Sequence, residues 1–231
     1  DFHPLAIEDC VAVSERPKID DYDNYVFMVI HAVDYINSRH VFQTTELNLF
    51  IGRNFLVTFH DEPLRSVSVM SERIQKKAHA LPRSPDLLAY QILALLFDNY
   101  QPALDELSSE LAALEHRVLL GETQAVLPEV VNLQSEVQRL RQIMAPQRDV
   151  IARMMRGEFP KVIRTHLVPY LRDLQDNLSR ISDLADTYRE SLTSTLQIHL
   201  NLQQMQINRV IKVLTILATL SMPILLVTSY Y

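Results

Sequence analysis

The last third of the sequence dictates an element too long for any compact domain. From Pro169 to Pro223 the chain meets neither glycine nor proline. At 1.5 Å per residue such a helix is on the order of 90 Å long. Its apolar residues Leu171, Leu174, Leu178, Ile181, Ala185, Tyr188 and Leu192 step by three and four. That spacing is a heptad seam, so this face packs on other helices.

A second stripe follows the same step on another face. It runs Asp173, Asp176, Arg180, Asp183, Thr187, Glu190, Ser194, Gln197, Asn201, Gln204 and Asn208, then Ile211, Thr215, Ala218 and Met222. A solvated coiled-coil face is the ordinary reading of a polar stripe. Such a face usually carries Lys, Glu and Arg, yet 191–208 has no acid and only neutral amides and hydroxyls on the stripe. The stripe also leads into 210–231, VIKVLTILATLSMPILLVTSYY, which at about 20 residues matches a membrane span. Polar groups entering a bilayer are costly and usually line a wet cavity. The stripe therefore reads as the wall of a polar conduit, with Gln197, Asn201, Gln204, Asn208 and Thr215 lining it. One helix encloses nothing, so a homo-oligomer follows.

Neutral oxygens suit hard cations, and Mg²⁺, which dehydrates reluctantly, suits acceptors that touch its water shell. Ile211 and Met222 on the same line would form apolar rings, which can gate by dewetting. Arg209 and Lys212 at the mouth of the span put the larger N-terminal part in the cytoplasm. Pro223 is expected to bend the outer half of the span.

Other chemistry is disfavoured. Three isolated glycines, Gly52, Gly121 and Gly157, build no phosphate-cradling loop. The eight histidines show no paired ligand spacing, and no nucleophile elbow occurs. A net charge of −6 argues against nucleic acid. The single cysteine, Cys10, excludes a disulfide framework and reads as a small buried apolar residue. No enzyme and no organic cofactor are expected. DFHPLAIEDC at the start has no signal core. The expectation is a piece of a longer protein, ending just after a first span.

Along the rest of the chain, 25–33 reads as a strand, and 47–51 and 55–59 as a hairpin around Gly52. Residues 63–77 read as a helix. Ser84-Pro85-Asp86 starts a helix to about Leu120, stopped by Gly121. A second runs from about Leu127 to Arg156, closed by Gly157, with Pro146 able to kink it. Short breaks between long helices favour antiparallel neighbours.

Five segments in order resemble the CorA family of magnesium channels: HPLAIED at 3–9, RPKIDDYDNYVF at 16–27, PDLLAY at 85–90, PYLRD at 169–173 and NRVIKVLTILATLSMP at 208–223. The resemblance covers essentially the whole chain. That family's Gly-Met-Asn signature follows a tyrosine at the end of the first span, and this chain ends at Tyr231. The resemblance implies an α+β fold: a cytoplasmic α/β domain over 1–164 with long antiparallel helices, a stalk helix over 165–209, and a first transmembrane segment over 210–231. It implies a homopentameric funnel in the plasma (inner) membrane, passing Mg²⁺, and often Co²⁺ or Ni²⁺, into the cytoplasm. It also implies Mg²⁺ bound between cytoplasmic domains that holds the pore closed. The regulatory carboxylates match Asp9 and Asp173, with Glu8 and Asp86 close by. Taken alone, Asp173 reads as helix N-terminal charge complementarity and Glu8 and Asp9 as a solvated loop. Gln197 stands where some relatives place an acidic ring, and Ile211 where a methionine is common. A zinc-transporting branch shares the scaffold. The rival from another class is a membrane-anchored coiled-coil signalling or scaffold protein.

Overall fold

The computed structural model describes residues 1–230 except 13–15, 37–40, 77–81, 83 and 123–125, and it leaves the side chains of 34–36, 41 and 223–230 undescribed. Among the described residues the order is α1 (Pro4–Val11), β1 (Lys18–Asp21), β2 (Tyr25–Ile36), β3 (Val41–Gly52), β4 (Leu56–Phe59), α2 (Arg65–Lys76), α3 (Pro85–Asp98), α4 (Tyr100–Leu119), α5 (Val126–Met155) and α6 (Val168–Tyr230). The strands form an antiparallel meander in sequence order. The expected α+β class holds.

β2 reads YVFMVIHAV because both its faces are buried. Val26, Met28 and Ile30 face the main core with Leu47, Leu49 and Ile51 of β3, over which α3, α4 and α5 pack. Tyr25, Phe27, Val29 and Phe50 point the other way, where Ala6 of α1 covers them. A short charged β1, KIDD, pairs β2 only as far as Val29. Beyond it the edge of β2 needs other partners. Gln147 Oε1 accepts from the His31 N–H at 3.0 Å. The Tyr100 hydroxyl donates to the His31 carbonyl at 2.6 Å, and Gln147 Nε2 donates to that hydroxyl at 2.9 Å. Burial pushes the Tyr100 phenol well above its ordinary range, against the hydrogen bond from Gln147.

The hairpin around Gly52 forms as expected: Gly52 N–H donates to Phe55 O at 2.9 Å and Ile51 pairs with Leu56. The Phe55 ring lies on Gly52, where an added Cβ would sit 2.3 Å from it. Gly121 and Gly157 end α4 and α5 at φ 80° and 73°. In both, the next residue's N–H reaches back to the helix, Glu122 to Arg117 and Glu158 to Arg153. Left-handed backbone at C′ favours glycine.

Three sequence expectations need correction. The helix begun at Pro85 does not reach Leu120; it breaks at Asn99, which caps both α3 and α4. Pro102, in the first turn of α4, has no N–H and crowds the carbonyl four residues back, which falls at the end of α3. Glu8 and Asp9 do not lie in a loop but on α1: Pro4 opens this helix and His3 Nδ1 caps it by accepting from Leu5 N–H at 3.2 Å. Cys10 is half-buried rather than a core residue. The expected end of α2 at Lys77 lies outside the described residues.

The membrane span expected over 210–231 lies partly outside the described residues, which stop short of Tyr231 and of the side chains of 223–230. Among the described residues no helix is long and apolar enough to cross a membrane. Beyond Lys212 the described side chains cover 213–222, on the order of 15 Å of helix, against the roughly 30 Å of a hydrocarbon core. The bend expected at Pro223 concerns a side chain outside the described ones, and the backbone there continues α6 to Tyr230.

Candidate functional site

α6 is 63 residues long and has two unlike sides. The seam is buried: Leu171, Leu174, Leu178, Ile181, Ala185 and Leu192 are each 2% exposed or less, against α4 and α5. Polar clamps flank it. Arg141 Nε meets Asp186 at 2.7 Å, Arg148 reaches Ser182 at 3.4 Å, and Ser191 contacts Glu115. Arg180 donates to Gln101 at 2.8 Å. These contacts run α4 parallel and α5 antiparallel to α6. Burial then continues on hydroxyl and imidazole, at Thr195 and His199.

The stripe occupies the opposite side. Asp173, Asp176, Arg180, Asp183, Thr187, Glu190, Ser194, Gln197, Asn201, Gln204 and Asn208 are all exposed in the single chain. Its polar groups join along the helix: Gln204 Nε2 donates to Asn208 Oδ1 at 3.1 Å, and the Thr215 hydroxyl to the Ile211 carbonyl at 2.8 Å. Ile211 and Met222 stand 54% and 66% exposed. So do Val210, Val213, Leu214, Ile216, Leu217 and Leu220, which surround this part of the helix with apolar surface. A helix apolar all round is covered by protein or lipid.

The four carboxylates assigned to regulation fall in different settings. Glu8 is exposed on α1. Asp9, one residue on, accepts from Lys18 Nζ at 2.5 Å. Asp173 is exposed in the first turns of α6, beside the tilted ring pair Tyr90 and Tyr170, whose centres lie 5.2 Å apart. Burial first, and the Asp173 charge next, push the Tyr90 phenol up. Asp86 is 2% exposed and both its oxygens are engaged. Oδ1 accepts from Leu87 N–H at 3.0 Å and Oδ2 from Arg164 N–H at 3.1 Å, with the Arg164 guanidinium 4.0 Å away. Asp86 thus pins the loop before α6 to the start of α3, buried beneath the surface. Glu8, Asp9 and Asp173 keep hard oxygen donors that suit Mg²⁺. Within one chain, the described residues hold no group of three or more His, Cys, Asp or Glu side chains placed around one metal.

Sequence reading missed Lys18. The ammonium also lies 3.8 Å from Asp20 and 6.0 Å from the centre of the Phe27 ring. Burial lowers its pKa, but the Asp9 hydrogen bond and charge outweigh that and hold it above the ordinary lysine value. The only available signal was a lysine opening a four-residue strand whose other charges are acidic.

The family model described as CorA-like Mg²⁺ transporter protein matches residues 1–231. The chain is 29% identical over 231 residues to the cobalt/magnesium transport protein CorA of Thermotoga maritima, covering 100% of this chain and 66% of that one. Among solved structures, the complete CorA magnesium transporter from Methanocaldococcus jannaschii superposes with TM-score 0.77 at 24% identity, over 88% of this chain and 63% of that one. The ZntB cytoplasmic domain from Vibrio parahaemolyticus superposes with TM-score 0.74 at 14% identity, over 88% and 80%. Both structures share the fold.

Proposed function

The chain belongs to the CorA-like Mg²⁺ transporter family, and from that premise we propose that it is part of a homo-oligomeric, pentameric divalent-cation channel rather than an enzyme. α6 is its stalk and the beginning of its pore wall. The observation that carries this is the two-sidedness of α6: one line sealed against α4 and α5, the opposite line exposed and, from Ser194 to Asn208, bare of charge. Arranged as a ring with the seams outward, five such stripes face one another. Amide and hydroxyl oxygens then touch the water shell of a hard cation without fixing it. Ile211 and Met222 form two apolar constrictions on the same line. The apolar surface from Val210 onward is lipid- and neighbour-facing, and Arg209 and Lys212 place the N-terminal part on the cytoplasmic side of the plasma membrane.

Mg²⁺ is the cargo this reading favours, with Co²⁺ or Ni²⁺ as alternates. The relative from Thermotoga carries cobalt and magnesium in its name. A zinc carrier on the same scaffold is the second reading, supported by the shared fold with a ZntB domain.

The same reading extends to regulation through the carboxylates at the surface. Asp9 and Asp173, with Glu8, stand on surfaces that separate subunits would bring together. Like charges there repel, and a bound Mg²⁺ cancels the repulsion, so cation level sets subunit spacing. Such a ligand acts only through its differential affinity for the two arrangements.

Uptake into liposomes containing the full-length protein tests the pathway. Asn208→Ala is expected to change flux or ion selectivity, and uptake identical to the parent would refute the assigned face. For regulation, Asp173→Lys supplies a fixed cation and should abolish the Mg²⁺ dependence of protease protection. Undiminished dependence in that folded variant would refute it.

A further inference from the structure

The ammonium of Lys18 sits on the one carboxylate of α1 that the regulatory reading needs. Lys18 Nζ lies 2.5 Å from Asp9 Oδ2, with side chains 35% and 30% exposed. Asp20 Oδ2 is 3.8 Å from the same nitrogen. The Phe27 ring centre is 6.0 Å below it, a cation–π distance. Three groups therefore hold this lysine at the start of β1, from α1, from β1 itself and from β2.

We propose that Lys18 is a tethered counter-ion of Asp9 that competes with a divalent cation for the same carboxylate. The proposal rests on Asp9 being a regulatory carboxylate, as argued above. Mg²⁺ takes oxygen at about 2.0–2.1 Å and tolerates little distortion of its octahedral shell. An ammonium already on the carboxylate would stand only a few ångströms from it, and the two positive charges repel. Cation binding therefore requires the ammonium to leave. Its four-carbon stem is flexible, and Asp20 is a second acceptor already within reach. The ammonium can pivot from Asp9 to Asp20 while the Phe27 ring stays beneath it. Asp20 is then the positioning residue that makes the exchange cheap, and Lys18 sets how much Mg²⁺ is needed.

The test uses the full-length protein in membranes and reads the Mg²⁺ concentration that half-protects it from protease. Lys18→Met is expected to lower that midpoint by about two- to fivefold, the range a partly exposed ion pair can supply. Lys18→Arg, which keeps the charge, should stay near the parent. Asp20→Asn removes the alternative acceptor and should raise the midpoint, and this variant keeps the test alive if Lys18→Met fails to fold. An unchanged or raised midpoint in folded Lys18→Met, or, where that variant does not fold, an unchanged midpoint in Asp20→Asn, overturns the proposal, provided Asp9→Asn moves it. If neither Asp9→Asn nor Asp173→Asn moves the midpoint, the regulatory reading itself fails, and the proposal with it.

Discussion

Gln147 is fully buried, yet it lies in the middle of a helix whose neighbours are apolar. Its amide serves the His31 N–H and the Tyr100 hydroxyl at once. Gln147→Leu keeps the volume and removes the acceptor, so about 1–3 kcal/mol of stability should be lost, measurable by urea unfolding. A loss below a few tenths would show that the edge of β2 finds another partner. Cys10 gives a second residue-level prediction. Burial, then the charges of Glu46 and Asp9, raise its thiol pKa to about 11. At pH 8 it should therefore alkylate far more slowly than a free cysteine, catching up as pH approaches 11 or on unfolding. Equal rates in the folded and urea-unfolded chain at pH 8 would contradict this. Sequence could place Asp86 in a first helical turn, but its partner Arg164 is 78 residues away. Lys18 and Gln147 were invisible for the same reason: their roles are set by which elements meet, and a spacing rule sees only one element.

At the scale of elements, periodic segments were legible and short ones were not. The seam of α6, the strand at β2 and the hairpin at Gly52 announce themselves because many residues repeat one instruction. α1 buries fully only Ala6 in its two turns, and β1 only Ile19 in four residues, so neither leaves a pattern. The break at Asn99 was missed because apolar residues keep their spacing across it, while Pro102 acts on the backbone. The two sides of α6 predict opposite responses to truncation. Leu178, fully buried, should cost about 2–5 kcal/mol as Leu178→Ala. Asn201→Ala, on the exposed stripe, should stay within about 0.5 kcal/mol. Thermal or denaturant unfolding compares them directly, and similar losses at both positions would mean that the stripe is packed within the chain itself.

At the scale of the molecule, one chain leaves its last described turns without cover. Exposed aliphatic side chains surround α6 from Val210 to Met222, while the seam that binds it to α4 and α5 ends near Leu192. Between these lies the uncharged stripe. Viewed down the axis at 100° per residue, Gln197, Asn201, Gln204 and Asn208 fall opposite the buried line of Leu192, Thr195 and His199. Ile198 and Met205 then lie on one flank, Leu200 and Ile207 on the other, all exposed. A closed ring of parallel copies meets both flanks and hides the stripe inside, which a two-stranded rod cannot do, since two helices bury one line apiece. Cysteine placed at Asn201 in a Cys10→Ser background should therefore become shielded from a bulky hydrophilic reagent in the assembled full-length protein. A cysteine pair at Ile198 and Leu200, on facing flanks, should oxidise to a ladder ending at five subunits. A ladder that stops at the dimer, with Asn201→Cys freely labelled, would leave α6 as a signalling rod and remove the conduit.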